Sequence, residues 1–146
     1  MKLIKTIKFS HTLCLLSVCS ILLSTPAWSE VAVIVHPSVG DTASPSDISR
    51  IFLGKAKSLP GGTKVIPVNL ERGSATREEF NDKVLGKSGS QLKSYWSRLV
   101  FTGKAQPPKD TGTDKDVIDL IKSNPNIIGY VSADKVTADV KVLATF

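Results

Sequence analysis

Apolar residues occur with two different periods along the chain from residue 31 onward. Residues 31–35 (Val-Ala-Val-Ile-Val) form a continuous, mostly β-branched run, which is typical of a strand buried on both faces. Runs at residues 64–69, 127–131 and 140–146 predict three further strands. Pro67 has no amide hydrogen to donate, so the strand predicted over residues 64–69 either lies at a sheet edge or has Pro67 at its end.

Apolar residues three and four positions apart predict four helices between these strands. The first begins at Ser44-Pro45 and ends at Gly54, and the fourth begins at a Thr113–Asp116 capping box and stops at Asn124-Pro125. The positions that define the helices are Ile48, Ile51 and Phe52; Phe80 and Val84; Leu92, Tyr95, Trp96, Leu99 and Val100; and Val117, Leu120 and Ile121. Residues 87–90 and 103–112 read as a polar break and a loop. Because strands and helices alternate, we expect one α/β domain, a three-layer sandwich around a central mixed sheet.

The first 29 residues have the layout of a secretory signal peptide. Three lysines and no acid precede an apolar run over residues 13–23, and Ala27-Trp28-Ser29 supplies small residues at a cleavage site. The apolar run is shorter than the roughly 20 residues that cross a bilayer, which disfavours the alternative of an uncleaved membrane anchor. We therefore expect cleavage after Ser29, a periplasmic location and a mature single domain over residues 30–146.

The composition of residues 30–146 excludes several kinds of site. Cys14 and Cys19 both lie in the predicted signal peptide, and His36 is the only histidine that remains, so no thiol, disulfide, metal cluster or histidine relay is expected. Asp114, Asp116 and Asp119 are read as charges at a helix start rather than as a calcium loop. We predict no cofactor and no enzymatic activity.

The overall charge of these residues is small. The whole chain has 19 basic and 13 acidic residues, and loss of the three lysines of the signal peptide leaves a net charge of +3. Lysines alternate with acids almost everywhere and no run of five like charges occurs, which argues against a nucleic-acid surface or a polybasic membrane patch.

One segment, residues 72–77 (Arg-Gly-Ser-Ala-Thr-Arg), has the features of an anion site at a helix start. A helix N-terminus presents unpaired amides and partial positive charge, the small residues Gly73, Ser74 and Ala75 allow close approach, and Ser74 and Thr76 add hydroxyls. Arg72 and Arg77 add permanent charge. The alternative, left open by composition, is that Ser74 simply caps the helix and that no ligand is involved.

Three motifs resemble, in the same order, those of the periplasmic substrate-binding proteins of phosphate ABC transporters. Residues 51–55 (Ile-Phe-Leu-Gly-Lys) resemble the family's "IF-G-K" helix end, and residues 73–76 followed by Phe80 resemble its "DGSGT…F" anion-binding turn. Residues 124–131 (Asn-Pro-Asn-Ile-Ile-Gly-Tyr-Val) resemble its "PGAIGYV" strand and form the most specific of the three matches. The resemblance covers residues 47–131.

The resemblance implies one lobe of a type 2 periplasmic binding protein, a fold in which phosphate lies between two lobes. The matching ligand-binding positions are Gly73, Ser74 and Thr76. Two departures are that Arg72 stands where the family has its ligand-binding aspartate and that Ala75 replaces its second glycine. A third is that Leu70 occupies the position of the family's arginine. The chain is also about half the family's length, so we expect a more open and weaker site.

The function expected from this resemblance is periplasmic binding of an oxyanion, with phosphate favoured, as a component or sensor linked to ABC-type phosphate transport. The implied partners are inorganic phosphate or a similar oxyanion, an ABC transporter permease or a sensor protein, and no nucleic acid. A homodimer would be one way to rebuild the missing lobe. The alternative function is an interaction or scaffold domain of the envelope that uses the same lobe without a small ligand.

Overall fold

The structure, a computed structural model, describes residues 29–146, which fold into five strands, four α-helices and one 3₁₀ turn. The strands are β1 (Val31–Val35), β2 (Ile66–Leu70), β3 (Lys109–Gly112), β4 (Ile127–Ser132) and β5 (Lys141–Thr145). The helices are α1 (Pro45–Phe52), α2 (Ala75–Lys83), α3 (Gly89–Phe101) and α4 (Asp114–Ser123), and the 3₁₀ turn is Ala133–Lys135. The predicted signal peptide lies outside the described residues, except for Ser29.

The five strands form one mixed sheet in the order β3-β2-β4-β1-β5. Strand β2 runs parallel to β3 and to β4, whereas β1 is antiparallel to its neighbours β4 and β5. Only β1 therefore runs against the common direction. It pairs with strands on both sides and all five of its residues are buried, as its β-branched run predicts.

Helices cover both faces of the sheet, so the predicted three-layer sandwich is confirmed. Gly129 and Tyr130 are successive residues of β4 and so point to opposite faces. The Tyr130 ring stacks on Phe80 of α2 at 3.8 Å between centroids and meets the edge of Phe52 of α1 at 5.7 Å. On the other face, Gly129 lies against Val117 of α4. Helices α1 and α2 therefore form one outer layer and α4 the other.

Three of the four helices begin with a complete capping box. In each, the hydroxyl of the residue before the helix accepts a hydrogen bond from the amide three positions later, and the side chain at that later position accepts one in return. The pairs are Ser44 with Asp47 for α1, Ser88 with Gln91 for α3, and Thr113 with Asp116 for α4. The box predicted for α4 is confirmed, and α2 is the helix without one.

Two local expectations differ from the structure, and a third is decided by it. Residues 109–112, expected in a loop, form the edge strand β3, whose hydrogen bonds to β2 do not depend on an apolar pattern. Helix α3 begins at Gly89, inside the expected polar break, because Ser88 caps it. Of the two alternatives for Pro67, the end of a strand is confirmed: β2 is not at an edge, and Pro67 is its second residue, where only β4 pairs with it.

Candidate functional site

Four strands, β2, β3, β4 and β5, end at the same edge of the sheet, and a helical segment begins beside the ends of the first three. Strand β2 leads into α2, β3 into α4, and β4 into the 3₁₀ turn. Strand β1 runs the other way and so begins at this edge, next to Glu30. Ligands of open α/β sheets commonly bind outside the carboxyl ends of the strands, and the segment predicted to bind an anion lies at this edge.

The start of α2 is geometrically suited to receive an acceptor from outside. Gly73 has a φ of +86°, a conformation that side-chain-bearing residues rarely adopt, and it turns the chain from β2 into the helix. Ser74 is the N-cap residue, but its hydroxyl forms no capping hydrogen bond. Within residues 29–146, no protein group accepts a hydrogen bond from the amides of Ala75, Thr76 or Arg77. The simple capping role that composition left open for Ser74 is therefore not seen.

Arg72 and Arg77 both donate hydrogen bonds to one carboxylate, that of Asp110, which the sequence did not indicate. Arg77 Nη1 donates to the Leu70 carbonyl at 2.6 Å and to Asp110 Oδ1 at 2.9 Å. Arg72 Nε donates to Asp110 Oδ2 at 3.1 Å. The Arg77 side chain is 15% exposed and so is held in place, whereas that of Arg72 is 87% exposed. One carboxylate therefore partly neutralises two guanidinium groups beside the amides of α2.

Thr76 opens into a cavity of about 670 Å³ at the same edge of the sheet. The cavity is also lined by Ser29, Glu30, Asp114, Ser132, Ala133, Asp134 and Lys135. Asp114 accepts a hydrogen bond from the Ser132 amide at 2.7 Å, and Asp134 pairs with Lys135 at 3.0 Å. The Ser132 hydroxyl donates to Asp134 and, with Lys135, lowers the pKa of that carboxyl. The wall of this cavity thus carries three carboxylates, Glu30, Asp114 and Asp134, against one ammonium group, Lys135, so an anion would be favoured near Arg72 and Arg77 instead.

A buried tyrosine supports the strand that leads to this site. Tyr130 donates to Asn69 Oδ1 at 3.2 Å, and burial raises the pKa of its hydroxyl, which is therefore neutral at physiological pH. The Asn69 side chain in turn donates to the Pro108 carbonyl at 3.4 Å. This chain of hydrogen bonds joins β4, β2 and the segment before β3, and so fixes where β3 presents Asp110.

The structure brings the six predicted site residues together and adds others. Gly73, Ser74, Ala75, Thr76, Arg72 and Arg77 form the start of α2 and its immediate surroundings. Sequence reasoning missed Asp110, because its segment read as a loop, and it read Asp114 only as a helix-start charge. His36, the one histidine expected in the mature chain, does not belong to this group. It directly follows β1, with its Nδ1 at 2.7 Å from the Ser38 hydroxyl.

The described residues contain neither a cluster of metal-ligating side chains nor a helix that could span a membrane. No group of three or more His, Cys, Asp or Glu side chains in residues 29–146 could hold a metal ion. No helix in that part of the chain is long and apolar enough to cross a membrane.

Neither a known family model nor a curated protein sequence matches this chain, but solved structures do. An ABC-type phosphate transport receptor from Vibrio cholerae matches with a TM-score of 0.60 and 17% identity over 79% of this chain and 46% of that protein. A Clostridium perfringens protein solved with bound phosphate matches with a TM-score of 0.57 and 22% identity, over 79% of this chain and 45% of that one. PstS from Borrelia burgdorferi matches with a TM-score of 0.56 and 15% identity, over 80% and 47%.

These structural similarities establish the fold of the chain and show how much of each similar protein it spans. The fold is similar to one lobe of phosphate-binding proteins of ABC transport, as the sequence motifs indicate. The chain spans less than half the length of each of these proteins.

Proposed function

We propose that this chain is an exported domain that binds an oxyanion at the start of α2, with phosphate as the favoured ligand. The observation that carries the proposal is that α2 begins without a protein cap at the carboxyl edge of the sheet, where its first amides have no described protein acceptor. Arg72 and Arg77 lie beside these amides, and Thr76 lines the neighbouring cavity. The fold shared with proteins that bind phosphate supports this choice of anion.

The acidic wall of the cavity bears on the proposed processing of the chain. Cleavage after Ser29 would remove one lining residue and leave a new amino terminus at Glu30, on the same lining. An ammonium group there would offset part of the charge of Asp114 and Asp134. The exported, processed form is therefore the form expected to bind the anion, with an ABC transporter permease or a sensor protein as its membrane partner.

Calorimetric titration of the exported protein with phosphate and with sulfate tests the proposal. We expect heat of binding, and we expect the combined Ser74→Ala and Thr76→Ala changes to abolish it without lowering the melting temperature markedly, because neither hydroxyl supports a described hydrogen bond. Ser97→Ala, which removes an exposed hydroxyl from α3, is the matched control and should leave the heat unchanged. No heat at millimolar phosphate or sulfate would refute an oxyanion function.

A second function, an interaction domain without a small ligand, is favoured by one observation. Ile66, a large apolar residue at the start of β2, is 61% exposed. Apolar side chains exposed on a protein surface mark contacts with a partner protein where they form a patch. Thermal melting with and without phosphate separates the two functions, because only a ligand-binding domain gains stability from the anion.

A further inference from the structure

Charge is distributed unevenly between α2 and β3. Residues 83–109 contain six basic residues and no acidic one, namely Lys83, Lys87, Lys93, Arg98, Lys104 and Lys109. The rest of residues 30–146 contains 10 basic and 13 acidic residues, so a net charge of +3 combines a segment of +6 with a remainder of −3. The expectation that lysines and acids alternate almost everywhere is therefore wrong for this segment, and the argument against a basic membrane-binding patch, which rested on that expectation, does not apply there.

Helix α3 occupies the middle of this segment and leaves one face uncovered. Leu92 is its only buried residue. Tyr95 and Trp96 are half-buried against the end of α1, where the Tyr95 hydroxyl donates to the Leu53 carbonyl at 2.7 Å and the Trp96 ring lies over Gly54. The opposite side of the helix carries Ser90, Ser94, Ser97, Arg98 and Phe101, all of them exposed to solvent in the described part of the chain.

Two cations of this segment converge on a shallow groove of about 400 Å³ beside α3. Lys87 and Arg98 line it together with Ser90, Gln91, Ser94 and Tyr95, and none of these residues carries a carboxylate. Neither cation forms an ion pair with any described residue. The groove therefore has two unneutralised positive charges and hydroxyl and amide groups, a combination that suits a phosphodiester.

Phe101 lies on the same side of α3, one turn after Arg98. At 93% exposure it is the most exposed large apolar residue of the described chain, and Val100 beside it is 42% exposed. Arg98 and Lys104 flank it in sequence, so the end of the helix presents one bare aromatic ring among cations.

We propose that Lys87, Lys93, Arg98, Lys104 and Phe101, here called the basic face, dock the domain on a membrane surface that contains anionic phospholipid. Cations near such a surface are attracted to its charged headgroups, and an aromatic ring at the end of a helix can enter the interface between headgroups and acyl chains. A protein partner is the less suitable occupant, because interface centres are depleted in charge and need a complementary apolar surface, whereas Phe101 stands alone among cations. This inference goes beyond the anion site at α2 and does not depend on it.

Co-sedimentation of the exported protein with lipid vesicles tests the basic face. Mass spectrometry first defines the N-terminus, which wild type and variants share. We expect the protein to bind vesicles made from equal amounts of phosphatidylcholine and phosphatidylglycerol, to bind vesicles of phosphatidylcholine alone much less, and to be released by about 0.5 M salt. Lys93→Glu with Arg98→Glu should weaken binding to the anionic vesicles by about 30-fold or more, and Phe101→Ala should weaken it severalfold.

The control places the same charge change on the opposite layer of the molecule. Lys115→Glu with Lys122→Glu alters two exposed cations of α4 and should leave vesicle binding nearly unchanged. An equal loss in this control would show that net charge alone governs binding and would overturn the proposal, as would a failure to sediment with anionic vesicles in dilute buffer. Release by millimolar glycerol phosphate would assign the groove to a soluble ligand instead. Equally tight binding to polyglutamate, unaffected by Phe101→Ala, would assign the basic face to an acidic protein.

Discussion

At the scale of single residues, Asp110 determines how much positive charge the start of α2 presents. Its carboxylate accepts hydrogen bonds from both Arg72 and Arg77, and an anion at the α2 amides would meet it as a like charge. At about 5 Å and an effective dielectric constant of about 50, this repulsion amounts to roughly 1.3 kcal/mol. We therefore expect Asp110→Asn to tighten phosphate binding about tenfold, as measured by titration calorimetry.

Asp110→Asn keeps a side-chain oxygen for one arginine, and Arg77 keeps its bond to the Leu70 carbonyl, so the fold should persist. Circular dichroism and the melting temperature check this. If the variant bound phosphate more weakly than wild type, Asp110 would be a contact of the ligand rather than its competitor.

A second residue-scale prediction concerns acid stability. Asp116 accepts hydrogen bonds from the hydroxyl and the amide of Thr113, at 2.7 and 2.8 Å, and these bonds lower its pKa below the ordinary value of an aspartate. Because the folded pKa is depressed, the stabilisation is fully present above the unfolded pKa and is lost as pH falls through the folded one. Asp116→Asn should lower the melting temperature at neutral pH and flatten its decline between about pH 5 and pH 3.

The control for this pH effect is Asp82→Asn, because Asp82 is exposed on α2 and has no described hydrogen bond or ion pair. Its melting curve should decline between about pH 5 and pH 3 as that of wild type does. If the melting temperature of Asp116→Asn also declined with falling pH as steeply as that of wild type, the α4 capping box would not contribute to acid sensitivity.

At the scale of secondary-structure elements, Gly129 sets the distance between α4 and the sheet. A Cβ atom there would lie 2.6 Å from Val117 Cγ1 and 3.3 Å from both Ile121 Cδ1 and Val68 Cγ2, so α4 would have to move. Overpacking of this kind costs about 1–3 kcal/mol. Gly129→Ala should therefore lower the melting temperature by several degrees, roughly 4 °C for each kcal/mol. Gly40→Ala, where a Cβ has nothing within 4 Å, should change it little.

Elements with a strong local pattern could be predicted from the sequence, and elements defined by pairing could not. Strand β1 and helix α4 follow from a β-branched run and from apolar spacing with a capping box. Strand β3 reads Lys-Asp-Thr-Gly and has no apolar alternation, because it is an edge strand held by hydrogen bonds to β2 alone. For the same reason the sequence indicated the helix-start half of the candidate site but not Asp110, which reaches it from β3.

At the scale of the whole molecule, part of the candidate site is open to solvent in the described residues. The Arg72 side chain beside the site is 87% exposed. Charges in contact with water are screened by salt, and the Debye length falls from about 30 Å at 0.01 M to about 8 Å at 0.15 M ionic strength. An anion held by such a site should therefore bind weakly and in a salt-dependent way.

We accordingly expect the dissociation constant for phosphate to rise severalfold between about 0.01 M and 0.15 M sodium chloride. Salt screens the longer-range attraction of Arg72 and Arg77 but leaves the short hydrogen bonds from the amides in place. Titration at the two salt concentrations measures this. The matched comparison is Arg72→Gln, which removes the more exposed guanidinium and should reduce the salt dependence.

Tight binding that is insensitive to salt would contradict an open site, since only a ligand enclosed on all sides escapes screening. The second wall would then have to come from another copy of the chain, and sedimentation velocity with and without phosphate would detect that dimer directly.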